Sequence, residues 1–207
     1  MAFGLSELIA VLSALIAAVS VFLNIRVVNR QLALQTEEVR AQVDAEKTVW
    51  LRETLEVFSE AEAICLNGIE EACREGAHRR LAARFSVLAD QGRISFPNLR
   101  PGDRGQENPE AYQGVRQPAI NAVILAHDLV QALPGLAEQP GEMLQAILFD
   151  CRRVLVSEVQ RSVDPRRRAQ ALQAQSRRSK QERDVTRGDV RKIIDSLRAL
   201  DVSVSFN

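Results

Sequence analysis

An uncharged run of 18 residues, LIAVLSALIAAVSVFLNI, extends from Leu8 to Ile25 between Glu7 and Arg26. As an α-helix it would cover ~27 Å, close to the hydrocarbon core of a bilayer at ~30 Å, so it predicts a transmembrane helix. Neither Gly nor Pro occurs from Leu5 to Asn67, an interval of 63 residues rich in Ala, Leu, Glu, Gln and Arg. With both strong helix breakers absent, the interval is expected to form one helix of ~95 Å, the span continuing into a stalk over residues 26–75. Leu32, Val39, Val43, Trp50 and Val57 stand near heptad spacing, interrupted by Gln35 and Glu46. They predict either a coiled-coil seam or a stripe packed on the chain's own domain, the latter above all from Trp50 to Ile69.

Further along, helical periodicity recurs with clear punctuation. Leu81, Ala82, Phe85, Leu88 and Ala89 form a stripe over Ala77 to Asp90, which Gly92 is expected to close. Residues 91–118 hold eight Gly or Pro among 28, which predicts a long loop. Ile120, Val123, Ile124, His127 and Val130 share a face that Pro134-Gly135 should end; Leu144, Ile147, Leu148, Cys151, Leu155 and Val159 share another, ending before Asp164-Pro165. Asp164 as cap and Pro165 in the first turn predict a basic helix over 164–187, and after Gly188 a last stripe runs through Val190, Ile193, Ile194, Leu197 and Leu200. The tail VSVSF alternates as a short extended piece. The expected fold is thus all-α: an anchor over 1–25, a stalk over 26–75 and a helical bundle over 76–207.

Charge fixes the expected topology. The leader MAFGLSE has no Lys or Arg, which a cleavable signal peptide would carry, whereas Arg26, Arg30 and Arg40 follow the span. The positive-inside rule then places the N-terminus outside and the C-terminal bulk in the cytoplasm, as for a single-pass protein of the inner membrane. Ala10, Ala14 and Ala18 recur every four residues and would let two spans approach closely, so a homo-oligomer is expected.

The zero net charge hides a division. Residues 151–207 carry 14 Lys or Arg against 7 acids, and the acidity concentrates from Glu37 to Glu75, with 11 acids against 4 bases. The basic helix could answer the acidic stretch within the chain or meet a phosphate-bearing partner. Arg166, Arg167, Arg168, Arg177 and Arg178 are its candidate contacts, and Arg93, Asn98, Arg100, Arg104, Tyr112 and Arg116 could hold an anion in the loop. The basic run lacks aromatics for base stacking, which favours anionic lipid or protein over nucleic acid. Three cysteines without CxxC spacing, two isolated histidines and the lack of GxSxG, HExxH, Walker or dinucleotide motifs call for no metal, cofactor or catalytic assignment.

The segments DQGRISFPN, Asp90 to Asn98, and SEVQRSVDPRRR, Ser157 to Arg168, resemble ones that recur in uncharacterised bacterial proteins with one N-terminal membrane helix. The resemblance implies a bacterial, membrane-tethered protein and marks Gly92, Arg93, Phe96, Pro97 and Asn98 as a unit; it implies no catalytic residue. The expected function is a membrane-tethered interaction or scaffold module. A ligand-gated membrane effector of stress or defence type is the alternative, and an enzyme comes third.

Overall fold

The computed structural model describes residues 5–99, 107–109, 112–164 and 178–203, with the side chains of 5–18 and 178–187 falling outside that description. Among the described residues there are six α-helices: α1 (Leu5–Asn67), α2 (Ile69–Arg74), α3 (Ala77–Ser95), α4 (Pro118–Ala132), α5 (Gly141–Val163) and α6 (Arg178–Ala199), with a 3-10 turn over Leu133–Leu136. Among the described residues extended structure is limited to one isolated antiparallel bridge between Leu99 and Val115. The chain divides into two compact units, Met1–Val43 and Asp44–Asn207.

Helix α1 occupies the whole interval between Gly4 and Gly68. Gly68 ends it with φ of +142°, a conformation that side chains with a Cβ rarely adopt. In the second unit the α1 positions Trp50, Thr54, Val57, Phe58, Ala61, Glu62 and Cys65 are buried, a 3.6-residue stripe. It packs on α3: the Trp50 indole Nε1 donates to the Leu88 carbonyl at 2.9 Å, and the Phe58 and Phe85 rings meet edge to face at 5.1 Å. Of the five heptad positions, Trp50 and Val57 therefore belong to the core of the chain's own domain, while Leu32, Val39 and Val43 are exposed.

Helix α4 is the hub of that core. It packs against α3, α5 and α6, and Ala119, Ile120, Ala122, Val123, Ala126, Leu129 and Val130 have no exposed surface. Pro118 opens it at the first helical turn, preceded by Gln117 in extended conformation, because Pro fixes φ and excludes the helical region for its neighbour. The stripes of α5 and α6 close over it with Leu144, Leu148, Leu155, Ile193 and Leu197. Helix α6 ends in a Schellman cap: Val202 N–H bonds to Leu197 O and Asp201 N–H to Arg198 O, both at 3.0 Å, with Asp201 at φ of +56° and Val202 buried beside Leu197. Val202, the first residue of the expected extended tail, thus completes the helix cap, and residues 204–206 of that tail lie outside the described residues.

Two glycines expected to stop helices lie inside them. Helix α3 runs through Gly92 to Ser95, so the loop begins at Phe96 instead of residue 91. A Cβ on Gly92 would stand 2.5 Å from Trp50 Cζ2 and 2.6 Å from Ile120 Cδ1; tertiary packing has recruited the smallest residue there for close approach. Helix α6 likewise passes through Gly188. Asp164 is the C-cap of α5; of the expected helix over 164–187, residues 165–177 lie outside the described residues and 178–187 belong to α6.

Candidate functional site

In the second unit, polar side chains gather where the loop leaves α3 and enters α4. The last turns of α3 present Asp90 and Arg93 on one face, three residues apart. The loop is drawn back over them by the Leu99–Val115 bridge, with N–O distances of 2.9 and 2.6 Å, and by Gln117 Nε2 donating to Pro97 O at 2.8 Å. Tyr112 thereby reaches α3: its hydroxyl donates to Asp90 Oδ1 at 3.2 Å, and its ring lies 4.4 Å from the Arg93 guanidinium carbon. Arg93 Nε stands 3.5 Å from Asp90 Oδ1, and the Arg93 side chain is only 12% exposed. Arg116 lies close enough that burial first, and the Arg93 charge second, lower its pKa, while Asp128 of α4 opposes them. Asp128 is buried and its Oδ1 is 3.0 Å from His127 Nδ1.

Two guanidiniums, one aromatic face and two carboxylates thus form a network that staples the loop to α3 and α4. Its charges balance, so its evident physical effect is to hold the loop. Of the residues proposed from sequence, the structure brings Arg93, Tyr112 and Arg116 together and sets Asn98, half-buried, beyond the end of α3. Arg100, Arg104, Arg166, Arg167, Arg168 and Arg177 lie outside the described residues, as do the side chains of Arg178, Ala10, Ala14 and Ala18. Sequence reasoning missed Asp90 and Asp128, although an Asp three residues before an Arg on a helix is a readable ion-pair spacing.

Elsewhere, polar groups tie the helices to one another. Glu62 of α1 pairs with Arg152 of α5 at 3.2 Å, and Glu60 pairs with Arg84 of α3. The acidic stretch is therefore answered in part by arginines outside the basic run. Burial pushes the Cys65 thiol up to about 11, pushes Cys151 up further, and raises Cys73 to a lesser degree. Such thiols are poor nucleophiles near neutral pH. An open cleft of about 460 Å³ where α1 gives way to α2 is lined by Asn67, Glu70, Glu71, Arg74 and Gln139. Among the described residues no group of three or more His, Cys, Asp or Glu is placed to hold a metal ion.

The first unit shows a different surface. Val19, Val21, Phe22, Leu23, Ile25, Val27 and Val28 are 50–59% exposed. Neighbouring residues of a helix point about 100° apart, so this run surrounds the helix with apolar side chains instead of forming one stripe. Among the described residues, one helix is long and apolar enough to cross a membrane, Pro118–Leu136, and it is not N-terminal; 61% of that window is buried inside the protein, because it is the core helix α4 with its following turn. Most of the expected anchor, Leu8 to Ala18, lies among the side chains outside the description.

No family model, curated protein or solved structure matches this chain.

Proposed function

We propose that this chain is a membrane-tethered, self-associating interaction module, held in the inner membrane of a bacterium by Leu8–Ile25 with its N-terminus outside and its helical domain in the cytoplasm. The observation that carries this reading is the collar of exposed apolar side chains from Val19 to Val28. A helix apolar on all sides is accommodated in lipid or in a protein core, and the core of the second unit is already filled by its own residues. Arg26 lies 5.6 Å from the Phe22 ring, an arrangement suited to a cation at the edge of the hydrocarbon, its stem along apolar surface and its head in water. Beneath the membrane, Arg166, Arg167, Arg168, Arg177 and Arg178 would meet anionic headgroups or a protein partner. The test is alkaline carbonate extraction together with a reporter fused after Asn207. Retention in the membrane fraction with cytoplasmic reporter activity is expected; full release, or periplasmic activity, would refute the tether or its orientation.

A second reading rests on the approach of Arg93 to Arg116. A phosphate-bearing ligand would compete with Asp90 and Asp128 for these guanidiniums and shift how the loop is held, which would suit a ligand-gated membrane effector. That version expects dye release from vesicles containing the full chain to change on adding phosphate compounds, and to lose that response in Arg116→Gln.

A further inference from the structure

Resting on the tether just proposed and naming its partner surface, we infer that residues 21–43 form one strand of a parallel, in-register, two-stranded coiled coil with a second copy of this chain. Val21, Ile25, Val28, Leu32 and Val39 are separated by four, three, four and seven residues. These steps place Ile25, Leu32 and Val39 at the a positions of successive heptads and Val21, Val28, Gln35 and Gln42 at d. The five apolar side chains are 58, 54, 50, 55 and 61% exposed, so the seam is uncovered within the chain. Along it runs a shallow groove of about 340 Å³ lined by Val21, Asn24, Ile25, Val28 and Asn29, which are the d, g, a, d and e positions of one heptad and its neighbour.

The chemistry flanking the seam selects a second copy as the occupant. In a parallel dimer each g position faces the e position five residues further along the other strand. Asn24 would then face Asn29 of the copy and Gln31 would face Thr36, amide with amide and amide with hydroxyl, so no like charges meet at these levels. Gln35 and Gln42, the two polar d positions, would each meet their own counterpart at the same height and hydrogen-bond across the seam, and this holds only in register. Arg26, Arg30, Glu37 and Arg40 occupy b and f, away from the seam, where Arg40 and Glu37 pair with each other at 3.0 Å. A shared tether at the same end makes both strands parallel and raises their effective concentration, which a seam of about three heptads needs.

The test is oxidative cross-linking of the full chain in its membranes, with single substitutions Leu32→Cys and Val39→Cys at a and Leu34→Cys at c as the comparison; Leu34 is 63% exposed, so its accessibility matches. The unsubstituted chain serves as the blank for Cys65, Cys73 and Cys151. Facing a positions approach within disulfide reach, so Leu32→Cys and Val39→Cys should give at least about fivefold more covalent dimer than Leu34→Cys. Equal yields at the three positions, dimers only through position 34, or none at all would overturn the seam; if the chain meanwhile survives carbonate extraction, the tether itself stands. Independently, Leu32→Glu should convert the dimer to monomer in mild detergent while Leu34→Glu leaves it unchanged, and the reverse result would also overturn the inference.

Discussion

Replacing Gly92 by Ala sets two physical effects against each other, and the geometry decides which wins. In an open helix interior the change would stabilise the fold by about 1 kcal/mol, through backbone entropy. At position 92 the new methyl would stand 2.5 and 2.9 Å from Trp50 Cζ2 and Cε2 and 2.6 Å from Ile120 Cδ1, against ordinary carbon contacts of about 3.5–4.0 Å. Neither neighbour can yield freely: Ile120 has no exposed surface, and the Trp50 ring is clamped by its hydrogen bond to Leu88 O and by Phe96 at 5.5 Å. Overpacking of this kind costs about 1–3 kcal/mol, and displacing the indole weakens a hydrogen bond of about 1 kcal/mol. The net expectation is a loss of about 1–3 kcal/mol, or roughly 2–12 °C in melting temperature for a chain of this size. Trp50 is the single tryptophan, so its emission during urea unfolding of the detergent-solubilised chain reports on this contact directly. In a Trp50→Phe background, followed by circular dichroism, the cost of Gly92→Ala should fall by about 1 kcal/mol or more, the coupling expected of residues in contact. A Gly92→Ala variant as stable as the parent, or one whose cost is the same with Phe at position 50, would refute the reasoning.

Gly188 is the counterpart: a Cβ there meets nothing within 4 Å, so Gly188→Ala should raise stability by about 0.5–1 kcal/mol in the same assay, and a loss would contradict the helix drawn through it. An alkylating reagent at pH 8 should modify half-buried Cys73 before Cys65, which burial pushes up to about 11, and before fully buried Cys151; mass spectrometry showing Cys151 modified first would refute that order. Burial holds the Glu62 carboxyl above its ordinary value of 4.5, with Arg152 opposing. Its protonated form therefore favours the fold: that contribution is full below the ordinary value and lost as pH rises through the folded value, so Glu62→Gln should flatten stability across that window. Arg152→Met, which leaves the carboxylate without its cation, should cost about 1–3 kcal/mol at neutral pH, less than for a fully buried pair because Arg152 is 28% exposed; no change would show the pair to be idle.

What the amino-acid order disclosed follows from how local each signal is. The extent of α1 was readable because helix breaking is a property of single residues, and Gly4 and Gly68 stand alone at its ends. The stripes of α5 and α6 were readable for the same reason: Leu144, Leu148, Cys151, Leu155, Ile193 and Leu197 repeat with the helical period, and all are buried. Gly92 misled because its role depends on Trp50, 42 residues earlier, and on Ile120, in a helix across the loop; no local pattern encodes that meeting. The heptad through Leu32, Val39, Val43, Trp50 and Val57 mixed two surfaces, since Trp50 and Val57 are consumed by α3 and the core while Leu32 and Val39 stay exposed. At the loop, Arg93, Tyr112 and Arg116 were legible as residues with anion-binding chemistry. Their grouping around Asp90 and Asp128 was not, because it depends on the Leu99–Val115 bridge folding the chain back.

The position of α4 bears on how topology can be mapped by experiment. This helix with its following turn is long and apolar enough to cross a bilayer, and most of it is covered by α3 before it and by α5 and α6 after it. A reporter joined soon after Leu136 deletes the later half of that cover and leaves an apolar segment of spanning length beside a membrane during synthesis. Under the proposed tether, such a fusion would insert α4 and report a second crossing that the covered helix of the intact chain would not make. Under that tether, truncation series of the usual kind would misassign the topology, whereas insertions at exposed sites of the intact chain leave α4 its cover.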